Sequence, residues 1–158
     1  MATNAAPIYG RQYIRYAETF EAPADNQDGD VGVVEVGELR AVAYAKFAGQ
    51  NYAAAPDAFT APAGVNKIVG VNQAYMPTAL AQPYTARQLT VATSGLLLLE
   101  VDPTDLFVAP ADLDTQLKIN DLGQAAKGGV AVTLDGTTPL IREIISIGGR
   151  ALVLVAFN

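Results

Sequence analysis

Two apolar runs, Leu140 to Ile147 and Arg150 to Phe157, are separated only by Gly148-Gly149. Apolar, β-branched segments flanking two glycines predict a β-hairpin, because tight type I′ and II′ turns need the positive φ that glycine adopts freely. A two-residue turn then sets the register. Ile147 faces Arg150, Ile145 faces Leu152 and Ile141 faces Ala156 on one side of the ribbon. Ile144 faces Val153, Arg142 faces Val155 and Leu140 faces Phe157 on the other. Both sides are mostly apolar, whereas a sheet with one wet face alternates apolar and polar residues. The hairpin therefore needs cover on both faces, from its own barrel or from another chain.

At 158 residues the chain fits one domain with room for an arm. Apolar residues make up 51% and charged residues 16%, against a usual charged share of about 25%. No apolar run approaches the roughly 18 residues of a membrane helix; the longest compact one is Leu96 to Leu99. No membrane association is expected. The first seven residues contain neither a basic nor an apolar segment of the kind a signal peptide needs, so none is expected. An apolar, weakly charged chain of this kind suits an obligate oligomer or a subunit of a larger assembly.

His, Cys and Trp are absent. Their absence removes the commonest general base, every thiol nucleophile, disulfides, and zinc sites built on nitrogen or sulfur. Catalysis would fall to carboxylates, Lys, Tyr, Ser or Thr; no enzymatic activity and no cofactor are expected. The net charge of −6, from 10 basic and 16 acidic residues without a basic cluster, opposes nucleic-acid binding.

Along the chain, Tyr9, Tyr13, Tyr16 and Phe20 recur at spacings of four, three and four. This is one stripe of a short helix over Ile8 to Phe20, opposite Arg11, Arg15 and Glu18, although aromatics also favour an extended arm. These four aromatics are the candidate intersubunit contacts. Residues 21–30 form an acidic, turn-rich link, so residues 1–30 read as an arm and linker and residues 31–158 as a β-barrel domain. Strands are expected at Val31 to Val36, Leu39 to Phe47, Asn66 to Val71, Gln88 to Ala92, Gly95 to Val101, Leu117 to Ile119 and Val130 to Leu134. A tight turn at Thr93-Ser94 separates two of them. Residues 48–65 and 72–86 read as long loops, and a short helical turn is expected after Pro110. Short strands between turn signals predict an all-β fold, a small barrel or sandwich with long loops.

Several patterns touch on chemistry. Asn26, Asp28, Gly29 and Glu35 fall on a calcium-loop template whose first position is Ala24 where Asp is needed. Glu100, Asp102, Asp105, Asp112 and Asp114 form the densest acidic stretch. Paired carboxylates there could serve a hydrolase if one were held protonated, yet Asp102-Pro103 and Pro110-Ala111-Asp112 are ordinary turn chemistry. Lys127-Gly128-Gly129 lacks the rest of a phosphate loop, and Ser94 has no His to activate it.

The second half carries an ordered set of features: Lys67-Ile-Val-Gly-Val71, Leu89-Thr-Val-Ala-Thr-Ser-Gly-Leu96, Lys127-Gly-Gly129, Pro139-Leu-Ile-Arg-Glu143 and Gly149-Arg-Ala-Leu-Val-Leu-Val155. Over residues 66–157 this resembles the small β-barrel decoration, or cement, proteins of tailed-bacteriophage heads. The 1–30 arm and the insertions at 48–65 and 72–86 depart from that pattern. The resemblance implies a virion structural protein, made in the host cytoplasm, that trimerises on the outer capsid surface and bridges major capsid protein subunits. An acidic chain also suits the outside of a shell better than the DNA-facing inside. The competing reading is a surface- or carbohydrate-binding β module, a head-fibre base or adhesin, with Tyr52, Phe59, Tyr75 and Tyr84 lining a groove.

Overall fold

The computed structural model describes residues 11–22, 38–47, 50–54, 68–73, 87–134 and 137–157. Nine strands run through them: β1 (Tyr13–Ala22), β2 (Ala41–Phe47), β3 (Gln50–Ala54), β4 (Ile68–Asn72), β5 (Arg87–Glu100), β6 (Lys118–Ile119), β7 (Val130–Ala131), β8 (Ile141–Ile147) and β9 (Arg150–Phe157). No helix occurs among the described residues, and the protein is all-β. The expected strand at Val31 to Val36 lies outside them.

The long β5 organises the sheet. Its β-branched first half pairs with β1 along one edge, from Arg87 to Leu96. A strand has only two edges, so β4, opposite Val91 and Ala92, and β9, opposite Gly95 to Glu100, follow each other along the second edge. From β4 the sheet continues through β2 to β3, and a parallel pair, Glu21 with Tyr52, joins β3 back to β1. The order β1-β3-β2-β4-β5 thus closes on itself as a five-stranded barrel, with the β9–β8 hairpin extending from β5. Closure gives most strands two partners and limits exposed edges.

Three expectations are corrected. The aromatic stripe at the N-terminus is no helix where described: Tyr13–Ala22 is a strand, because β5 offers Arg87 to Leu96 as an antiparallel partner along all of it. Thr93-Ser94 is no turn. β5 continues through it, with an extra residue at Thr93 opposite β1 and a positive φ of 130° at Gly95. The alanine-rich 48–65 segment is not loop throughout, since Gln50–Ala54 forms β3 in a tight hairpin with β2 that begins at Phe47 opposite Gln50.

The terminal hairpin forms about its glycine turn, with φ of 58° at Gly148 and 79° at Gly149. Pairing follows the expected register from Ile147–Arg150 to Glu143–Leu154 and then shifts. Arg142 is bulged out, so Ile141 faces Val155 and not Ala156, and Arg142 does not pair with Val155. Burial explains the shift. It places Ile141, 1% exposed, in the main core and sends Arg142 to water, 3.4 Å from Asp114.

Both faces of the hairpin are covered. Val153, Val155, Phe157 and Ile141 join Leu97, Leu99, Leu117 and Ile119 in the main core. Ile145, Leu152 and Leu154 pack with Leu39 and Leu98 in a second cluster. Complete burial of a leucine is worth about 1.5–3 kcal/mol, so this second face contributes substantially. Arg11 pairs with Glu143 of β8 at 2.9 Å, and the Gln12 side-chain oxygen accepts the Leu98 N–H at 2.9 Å, just past the end of β1–β5 pairing. The residues leading into β1 are thus tied to both the hairpin and β5.

Candidate assembly surface

β1 carries the candidate contacts, and its register decides which way they point. Tyr13 faces Leu96, Ile14 faces Gly95, and Tyr16 faces Ser94, with Arg15 as an extra residue between the last two pairs. Directly opposed residues share a face, and Leu96 and Ser94, two apart on β5, lie on the same side. The bulge at Arg15 thus brings Tyr13 and Tyr16 to one side of the sheet despite their spacing of three. The spacing that suggests a helix is here the signature of a bulged strand.

Both tyrosines are open to solvent, Tyr13 at 64% and Tyr16 at 66%, beside Leu96 at 38%. Ile14, at 42%, is exposed on the opposite side of the same ribbon. Every described side chain from Tyr13 to Thr19 is exposed. Gly95 makes this ribbon possible. At φ 130° it lets the Tyr13 carbonyl approach so closely that a Cβ would lie 2.0 Å from the oxygen. At the start of the strand, Gln12 donates to the Gln73 side-chain oxygen at 2.8 Å while accepting from Leu98. The tyrosines therefore project from an anchored strand.

Of the other candidate contacts, Phe20 pairs with Leu89 through its backbone, and Tyr9 lies outside the described residues. Sequence reasoning missed Ile14 and Leu96. Leu96 belongs to a run whose next three leucines are fully buried, so no periodicity sets it apart. Tyr52 lies on β3, while Phe59, Tyr75 and Tyr84 lie outside the described residues, as does the 24–35 calcium-loop template.

The acidic stretch folds into structural contacts. Asp102 accepts the Thr104 N–H and hydroxyl at 2.9 and 2.8 Å and the Asn120 amide at 3.0 Å. Asp112 accepts the Val108 N–H at 2.7 Å and pairs with Lys127 at 3.0 Å. Hydrogen bonds from the Thr104 backbone and side chain hold the Asp102 pKa below its ordinary value; the Val108 N–H and then Lys127 do the same for Asp112. A general acid needs the opposite shift.

Asp105 accepts the Lys127 N–H at 2.8 Å, and the Lys127 ammonium sits 5.3 Å from the Phe107 ring centre, so Lys127-Gly128-Gly129 is held as a turn. Phe107, Asp112 and Lys127 border a cleft of about 470 Å³ that also includes Asp114 and Lys118. Glu100 ties the barrel to this region through Gln124 at 2.7 Å and through Arg40 and Arg150, each at 3.4 Å. Ser94 donates to the Phe157 carbonyl at 3.4 Å. Among the described residues no group of acidic side chains is placed to hold a metal ion.

No protein-family model matches the chain, and neither curated proteins nor solved structures yield a match.

Proposed function

We propose that this protein is a capsid-decorating structural protein that forms a homotrimer on the outer surface of an icosahedral phage shell and ties neighbouring major capsid subunits together. The observation that carries the reading is the anchored ribbon that exposes Tyr13, Ile14, Tyr16 and Leu96 together. A tyrosine buries about 150–250 Å² when fully enclosed. Two tyrosines about two-thirds exposed therefore leave roughly 200–330 Å² of side chain for a partner to cover. That is a sizeable share of the about 800 Å² per side of a standard interface. Tyrosine is enriched at such interfaces because its ring packs while its hydroxyl stays hydrogen-bonded. The resemblance of residues 66–157 to phage cement proteins supplies the biological setting. Many copies bound across one shell would add their weak contacts through multivalency.

The test has two parts. Light scattering at micromolar concentration is expected to give a trimer, and the double variant Tyr13→Ser/Tyr16→Ser a folded monomer. Purified protein mixed with expanded shells lacking decoration is expected to bind and to raise their resistance to heat. A wild-type monomer would remove the trimer, and absence of shell binding would remove the capsid role.

A further inference from the structure

We draw no further inference here: the strongest candidate, the cleft of Phe107, Asp112, Asp114, Lys118 and Lys127 beside the exposed Leu106–Val108 tip, carries nothing, because its charges are of both signs, Asp112 is already paired with Lys127 and Asp114 with Arg142, and nothing in the structure shows what fills the cleft or covers the tip.

Discussion

Replacing Gly95 with alanine tests the tyrosine ribbon at its hinge. The new Cβ would lie 2.0 Å from the Tyr13 carbonyl oxygen, 2.9 Å from the Arg15 nitrogen and 3.1 Å from the Ile14 Cα. All three are backbone atoms, so no side chain can rotate away. Restoring even a tight contact of about 3 Å means moving β1 away from β5 by roughly 1 Å, which stretches hydrogen bonds of about 2.9 Å well past their useful range. One or two such bonds are worth about 0.5–1.5 kcal/mol each. A non-glycine residue in this region of φ adds about 1–3 kcal/mol of strain. The expected loss is therefore about 2–5 kcal/mol, set against a total stability of about 5–15 kcal/mol for a typical domain. Urea denaturation measures it, and amide exchange should show Ile14 and Arg15 losing protection before the core strands. Gly128→Ala is the control, because a Cβ there meets nothing within 4 Å, and it should stay within about 0.5 kcal/mol of wild type. If Gly95→Ala matched Gly128→Ala in stability and left the Ile14 amide protected, the close approach of β1 to β5 would be wrong. The face shared by Tyr13 and Tyr16 would fall with it.

Leu98→Ala should cost about 2–5 kcal/mol by opening a cavity among Leu39, Leu152 and Leu154, while Leu96→Ala, two residues away, should cost under about 1 kcal/mol because its side chain is already partly wet; equal urea midpoints would refute the two-sided burial of the hairpin. The depressed Asp112 pKa gives stability that is complete above the ordinary value of 3.8 and is lost as pH falls through the lower folded value. Asp112→Asn removes this titration, so the drop in urea midpoint between neutral pH and the region below 3.8 should be smaller for the variant than for wild type. An identical drop would show that Asp112 carries none of the acid sensitivity.

The hairpin is legible because its signal is local: two glycines fix the turn, and the turn fixes the first five pairs, from Ile147–Arg150 to Glu143–Leu154. The bulge at Arg142 was not legible, since nothing in the hairpin says that Ile141 gains more from the main core than from its expected place. The aromatic stripe misled for a related reason. A helix and a strand with one extra residue both bring residues three apart to one face, and only the pairing with β5 distinguishes them. Thr93-Ser94 reads as a turn because Thr-Ser-Gly is turn chemistry, whereas β5 runs on through it and changes its neighbour from β4 to β9 there. The turns of the acidic stretch are legible in Asp102-Pro103 and Pro110-Ala111-Asp112, whereas its bracing depends on Asn120 and Lys127, which are distant in sequence.

The excess apolar surface that the hairpin announces ends up elsewhere. Leu39 and Leu98 close its second face, so the hairpin itself offers little to a neighbour. Among the described residues, the exposed large apolar side chains lie on β1 with Leu96, on the Leu106–Val108 loop, and singly at Leu122 and Val130. The β1 ribbon mixes Arg15 and Glu18 with its tyrosines, charges of both signs that a rotated copy of the same surface can match. Variants of Tyr13 and Tyr16 should therefore alter oligomeric state while leaving the buried clusters, and so the urea midpoint, close to wild type.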